Sequence, residues 1–488
     1  MLDPDHSDKA VRSEQDTDLI SFKERDLETA SGSAWHLRAE NDVSSEAIEQ
    51  AIGGPSLLAQ VLAGRGIRAD NAHAFLNPSL KTDLPDPLIL KDMDRAIDRL
   101  ASAVHAGETI GVFGDYDVDG TTSSAILREY FDCVGVRSHV RLPDRQLDGY
   151  GPNLSAFEFL KGEGASIVIT VDCGANAPEV VAAGKNLGLD IIVVDHHQME
   201  GAGPDAADAV VNPCREDDTS GLNGFSASGL VFLLVVGLNR KLRQDDYFAD
   251  RDEPDLKGLL DLAALGLVCD VMPLTGAVRT IVAQGLKVLS ARKEGPGNRG
   301  LLALCDAAGA KTPYSGYTFG FQLGPRINAA GRISHADLAF ELLTTDDDHR
   351  RESLADQLHS INAERQAIEA NVQAEAVAIV NCDRLADDAP IVVAAEGWHP
   401  GVLGIVAGRL KEKYGRPTVV IGIDEDGTGK GSGRSVSGVD LGKAIRDCYT
   451  DGILVAGGGH AMAAGLTISA TNIDQFREVL TEHLRHDI

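Results

Sequence analysis

The stretch GVFGDYDVDGTTSSAIL, residues 111–127, joins three signals in one place. An apolar run reads as a buried strand, three aspartates follow at two-residue spacing, and a glycine leads into a Thr/Ser-rich helix start. In extended chain alternate residues share a face, so Asp115, Asp117 and Asp119 converge if the strand continues. If the chain turns, they are still crowded at a strand end. Carboxylates that close repel one another unless cations lie among them. For this motif alone, the competing reading is a polar turn that caps the following helix.

Outward from this stretch, short apolar runs recur at Thr109–Gly114, Val136–Pro143, Ser166–Val171, Asp190–Val194 and Ala209–Val211. Helical segments fall between them at Thr121–Cys133, Leu154–Lys161 and Ala177–Leu187. Strands alternating with helices in this way predict an α/β fold with a mostly parallel sheet covered on both faces. Upstream, Ser45–Phe75 reads as short helices with Ala59, Val61 and Leu62 as core positions, and Met93–His105 as a further helix. Downstream, Leu230–Leu242 and Leu259–Leu267 read as buried helices. A long helix from about Arg350 to Val380 carries Leu354, Leu358, Ile361, Ile368 and Val372 at helical spacing. After it, Ala389–Ala395 and Pro417–Ile423 read as strands of a smaller α/β unit that ends in a glycine cluster.

Two further strands end in the same chemistry. IVITVDCG (167–174) delivers Asp172, and IIVVDHHQ (191–198) delivers Asp195, His196 and His197. In an open parallel sheet, ligands bind beyond the carboxyl ends of the strands. One strand-end aspartate is commonly only a helix cap, but several strand ends that all finish in hard-metal ligands do not read as packing. In LAALGLVCDVMPL (262–274), Asp270 closes a run otherwise free of charge and joins the set. Oxygen-rich donors with one or two imidazoles suit Mn²⁺ or Mg²⁺ better than structural zinc. Five aspartates can bridge two such ions, the arrangement that serves displacement at phosphorus. His197 is placed to hydrogen-bond a phosphate oxygen or to protonate the leaving group.

Bulk properties limit the reading without deciding it. A length of 488 residues implies two domains or more. No run approaches the ~20 apolar residues of a membrane span, and the acidic N-terminus has no secretory signature, so the expected location is the cytoplasm. The seven cysteines form no CxxC pair, which excludes a zinc knuckle and suits a reducing compartment. The net charge of −29 runs against nucleic-acid binding, yet an acidic balance can coexist with a local basic groove.

GDYDVDG, RLPDRQLDGYG, VDCG and DHH, in this order, resemble the DHH phosphoesterases. FQLGPRINAAGRIS (321–334), AEGWHPGVLGIVAGRLKEKYGRP (395–417), GSGRSVSGVDL (431–441) and GGGHAMAAG (457–465) resemble the RecJ branch of that superfamily. Residues 1–44, polar, acidic and without clear periodicity, read as a mobile tail. The resemblance, which runs from about Ser45 to Phe476, implies a DHH domain at 45–348, a connecting helix at 349–380 and a DHH-associated substrate domain at 381–488. It implies a metal site of Asp115, Asp117, Asp119, Asp172, His196 and Asp270. Catalytic work would fall to His197 and Asp117, with Asp195 orienting the histidines. Arg141, Arg145, Arg326, Asn328, Arg332, His399, Ser432, Arg434, Gly458, Gly459 and His460 match positions suited to gripping substrate, where arginine's planar fork holds phosphate oxygens.

Two departures from the family pattern stand out. Val278 precedes Arg279 where the family has an asparagine, with a small expected effect. The chain also reaches Ile488 about two dozen residues after Gly465, which leaves no room for the oligonucleotide-binding barrel usual in RecJ proteins. Weaker grip on single strands is the expectation. The function implied is a 5′→3′ exonuclease on single-stranded DNA, using two Mn²⁺ or Mg²⁺ ions, with single-strand-binding protein and a helicase as partners. The competing readings are a phosphodiesterase of short oligoribonucleotides or cyclic dinucleotides, and a non-catalytic scaffold.

Overall fold

The computed structural model describes residues 27–28, 34–35, 42–145, 148–149, 151–291, 294–382 and 389–485. Of the expected tail at 1–44, most lies outside the described residues. Leu27–Glu28 pairs antiparallel with Ala34–Trp35, and the first helix already begins at Asp42. The chain forms two compact units: residues up to Leu84 with Leu274–Thr280, and Pro85–Pro273 with Ile281–Ile488.

In the smaller unit, helices Asp42–Ile52, Ser56–Gly64 and Ala69–Leu76 pack round Ile48, Ala59, Leu62 and Ala72. Val61, expected in this core, faces solvent. It is one residue from Leu62, so a helix that buries one turns the other outward. Arg279 also belongs here, lying over the Phe75 ring at 3.7 Å and donating to the Phe75 carbonyl at 2.7 Å.

The larger unit holds two five-stranded sheets. The first consists of β1 (Thr109–Gly114), β2 (Ser138–Arg141), β3 (Ala165–Val171), β4 (Asp190–Val194) and β5 (Ala209–Val211). Its order is β2-β1-β3-β4-β5, parallel throughout. Ile110, Val112, Ile167, Ile169, Ile191 and Val193 are fully buried, as continuous apolar strands in a two-faced sheet require. Strand β2 is shorter than the run that announced it. Helix α1 (Val118–Cys133) begins three residues earlier than its apolar pattern indicates.

Helices α2 (Ala227–Gln244) and α3 (Leu260–Cys269) are apolar nearly all round and lie in the core. Helix α4 (Gly324–Ile333) follows, and then α5 (Asp348–Cys382), 35 residues long, leads to the second sheet. Leu354, Leu358 and Val372 form its buried stripe, against α4 and the neighbouring helices.

The second sheet consists of β6 (Ile391–Glu396), β7 (Thr418–Ile423), β8 (Thr428–Arg434), β9 (Ala456–His460) and β10 (Ala463–Ser469), with α6 (Pro400–Tyr414) between β6 and β7. Its order is β9-β10-β8-β7-β6, parallel only between β6 and β7. The last three strands were not legible as strands, because glycine hides the alternation. A side chain at Gly431 would strike Leu466, and one at Gly433 would strike Leu441. Glycine is therefore what lets the sheet's neighbours close on it.

Candidate metal centre

The chain does not run on as a strand after β1. It turns at Asp117, whose Oδ1 accepts from the amides of Asp119 (2.8 Å) and Gly120 (3.1 Å) as the N-cap of α1. Asp115 lies just after the strand end, and Asp119 lies inside the first helical turn. The turn, not strand pleating, is what gathers the three carboxylates. The capping reading and the clustering reading of this motif hold together.

Asp119 is fully buried at the N-terminus of α2. Its oxygens accept from Ser226 Oγ (2.7 Å) and from the amides of Ala227 (2.7 Å) and Ser228 (3.1 Å). A helix N-terminus carries partial positive charge, which suits a carboxylate there. Gly266 on α3 makes the approach possible, since a Cβ there would strike Ser228 Oγ and Asp119 Oδ1. The 226–228 Ser-Ala-Ser segment, which anchors Asp119, was missed by sequence reasoning; its one signal was two serines at the start of an apolar helix.

Asp172 follows β3 in the left-handed region, at φ 62°. His196 Nε2 stands 3.2 Å from Asp172 Oδ1, 3.4 Å from Asp270 Oδ2 and 3.9 Å from Asp119 Oδ2. Asp195 takes a different part. Its Oδ1 accepts from His197 Nδ1 at 2.7 Å and from the amides of both histidines, while Oδ2 accepts from Ala175 N at 3.0 Å. This bond fixes the ring's orientation and its tautomer.

Three overlapping donor groups result: Asp115, Asp117 and Asp172; Asp119, His196 and Asp270; and Asp172, His196 and His197. In each, the ligand atoms lie within 4.8 Å of one another. Burial, reinforced by Asp117, pushes the Asp115 carboxyl up to about 8. Burial, with Asp119 and Asp117, pushes Asp270 up to about 8 as well. Asp119 and Asp172 are raised too, by burial first and then by neighbouring carboxylates. Partial desolvation opposes charge on His197, which is half-exposed, but the Asp195 bond outweighs this and raises it to about 9. Among the described residues Asp115 Oδ1 is buried without a hydrogen-bond partner. A carboxylate-rich, self-repelling cluster with an orphaned buried oxygen fits divalent cations of the Mn²⁺ or Mg²⁺ kind.

Beside this cluster stands a group of arginines. Arg145 lies over the Tyr116 ring at 4.9 Å. Burial, reinforced by the positive charges of Arg145, Arg365 and Arg434, lowers Arg332 to about 10. Arg434 is likewise lowered by burial and then by Arg145. Arg332 donates to the Gly401 carbonyl at 3.1 Å, and Arg434 to Ser432 Oγ at 3.1 Å. Guanidinium groups held together, with Arg332 and Arg434 bonded to neutral acceptors, suit an anion. Arg145, Arg332, Ser432 and Arg434 thus converge.

Other expected substrate residues lie elsewhere. Asn328 lines a groove with Arg332, Arg365 and Arg409. Arg326 is turned against α5, with its Nε on His359 Nδ1 at 3.3 Å. Arg141 lies over Phe159 at 5.8 Å. His399 caps α6, accepting from Gly401 N at 3.1 Å. Gly458, Gly459 and His460 lie on β9, an edge strand. Arg365 and Arg409, which the sequence did not single out, both ion-pair with Glu369 in the groove.

The DHH family N-terminal domain model matches residues 109–267, and the DHHA1 domain model matches 388–486. The single-stranded-DNA-specific exonuclease RecJ of Bacillus subtilis is 36% identical over 93% of this chain and 55% of its own length. That of Dickeya dadantii is 36% identical over 87% of this chain and 74% of its own. The crystal structure of RecJ from Thermus thermophilus in complex with Mn²⁺ matches with a TM-score of 0.75 at 29% identity. That match covers 92% of this chain and 62% of the Thermus chain. The chain therefore spans little more than half of the Bacillus relative and about three quarters of the Dickeya one. Motif order, sheet topology and the paired domains agree with these likenesses, and the chain belongs to the RecJ family of DHH proteins.

Proposed function

We propose that this chain is a metal-dependent 5′→3′ exonuclease that hydrolyses single-stranded DNA to 5′-mononucleotides. One observation carries the reading: a divalent-metal donor set lies beside a convergent arginine cluster that an anionic strand end would fill. The relatives' names and the Mn²⁺ in the Thermus RecJ support the same reading.

Asp115, Asp117, Asp119, Asp172, His196 and Asp270 are the residues that would hold the ions. When bound, Mn²⁺ or Mg²⁺ supplies a hydroxide nucleophile and charge stabilisation at phosphorus. Arg145, Arg332, Ser432 and Arg434 hold the terminal 5′ phosphate, which sets the next phosphodiester against the carboxylate cluster. A grip on the terminal phosphate also fixes the product as one nucleotide. Asp195 locks the His197 ring, whose positive charge is matched to a phosphate oxygen or to the leaving 3′ oxygen. Repair and recombination in the cytoplasm, with single-strand-binding protein and a helicase, is the setting in which such strand ends arise.

The test is incubation with Mn²⁺ and a long single strand labelled at either end, beside its duplex and a dinucleotide, with Asp117→Ala as control. The reading expects mononucleotides from the 5′ end of the single strand and none from the variant. Cleavage of the dinucleotide alone moves the chain to the short-oligonucleotide phosphodiesterases, and no cleavage of anything makes it a scaffold.

A further inference from the structure

The groove that begins beside the metal centre has one wall the chemistry above does not use. It encloses about 860 Å³ and runs from Val268, Cys269 and Val271, at the end of α3, past Asn328 and Arg332 to Arg365 and Arg409. Phe321 lines the same groove as these arginines. Behind Phe321 stands Tyr317, with ring centroids 5.1 Å apart and planes inclined by only 19°. Both rings are bare to solvent, Tyr317 at 65% and Phe321 at 70% exposure.

The backbone explains why these rings point outward. Thr318–Leu323 is a π-helix, a rare widened turn often found at functional sites. It buries Phe319 and Leu323 completely against the core while turning Tyr317 and Phe321 out. Gly324 permits the close seat, since a side chain there would strike Cys269 Sγ. An exposed pair of nearly parallel rings leaves most of its apolar surface in water, where a binding partner can cover it. The arginines of the groove fit a phosphodiester backbone: Arg365 and Arg409 are both held by Glu369, and Arg332 leads on to the terminal-phosphate cluster. On a molecule of net charge −29, so local a concentration of arginine marks the path of an anionic chain.

We propose that Phe321 and Tyr317 form a stacking platform for the bases of the strand beyond the scissile phosphodiester, so that a base, Phe321 and Tyr317 form one continuous stack. This rests on the single-strand reading above and adds the part of the chain that reads the bases as flat apolar faces. Stacking is tolerant of sequence because every base has a π-face, so the platform binds any single strand. In a duplex the base faces are already covered by their neighbours, and the platform has nothing to take. It therefore contributes to strand selection from the base side, whatever the groove's width excludes.

The test compares Phe321→Ala, the Phe321→Ala/Tyr317→Ala double variant and Phe321→Trp with the parent chain, in Mn²⁺. The substrates are a 5′-phosphorylated single strand of about a dozen nucleotides and the same strand abasic beyond its first three positions. The expected result is a KM on the normal strand raised about tenfold in Phe321→Ala and further in the double variant, with kcat nearly kept and Phe321→Trp near the parent. On the abasic strand the parent's KM should rise to meet that of the variants. An unchanged KM on the normal strand overturns the platform, and leaves the rings to a protein partner. An equal loss on both strands also overturns it, since the residue would then act on backbone or fold. Failure of the parent chain to cut either strand is a different result, and sinks the exonuclease reading itself.

Discussion

Most of the chemistry was written in single residues, but not all of its support was. Asp115, Asp172, Asp195, His196 and His197 were legible because each follows an apolar strand, where a parallel sheet gathers its ligands. Asp119 was legible as a carboxylate but not as one anchored on Ser226, Ala227 and Ser228, because that contact joins residues more than a hundred positions apart. Arg326 and Arg332 sit in one motif and part company in space. The first is spent on His359, and the second joins Arg145 and Arg434. Periodicity alone does not separate them, since helix rotation and the neighbour each one meets decide the matter. If the arginine cluster holds a terminal phosphate, Arg434→Ala should raise KM about ten- to a hundredfold on a 5′-phosphorylated strand, the scale of a lost charge-assisted bidentate contact. A 5′-hydroxyl strand should barely distinguish the variant from the parent. Equal losses on both strands would show that Arg434 grips something other than the end.

At the level of elements, long apolar runs were read well and glycine-rich ones were not. Strands β1 and β3 to β5 and the helix α5 lie within a few residues of where the sequence puts them. Strands β8, β9 and β10 escaped, because their stability comes from what glycine admits and not from side chains of their own. Inside the helical core, the structure also holds two carboxyls that no pattern announced. Asp261 on α3 accepts from Asn298 N at 2.7 Å, and Asn298 Nδ2 donates to Glu129 of α1. Burial pushes Asp261 up to about 7, and burial with the nearby Asp261 pushes Glu129 up to about 8. Carboxyls raised in the folded chain stabilise it most below their ordinary range near 4, and that stability is lost as pH rises through 7 to 8. With Mn²⁺ kept saturating, stability should therefore fall, and the melting temperature with it, between about pH 4.5 and pH 8, at up to about 1.4 kcal/mol per pH unit per group. Glu129→Gln should flatten the decline; a parallel curve in that variant would remove Glu129 as its cause.

Over the whole molecule, the metal centre is a cost to the fold as well as the seat of its chemistry. Carboxylates packed at the strand ends destabilise the chain until cations join them, so ligand binding and folding are linked. At Mn²⁺ about a hundredfold above its Kd, the melting temperature should rise by about 3 °C for each ion bound. Asp172→Asn should raise the melting temperature of the metal-free chain and reduce the Mn²⁺ increment; an undiminished increment would remove Asp172 from the site. The backbone carries a similar burden, with Asp172 at φ 62° and the exposed Val271, directly after Asp270, at φ 59°. A β-branched residue in that region is strained by about 1–3 kcal/mol. In a lineage released from catalysis, mutation would find easy gains at these two positions, asparagine or glycine at 172 and glycine at 271. On the function proposed above, the aspartate and the valine that stand there trade robustness of the fold for the shape of the site.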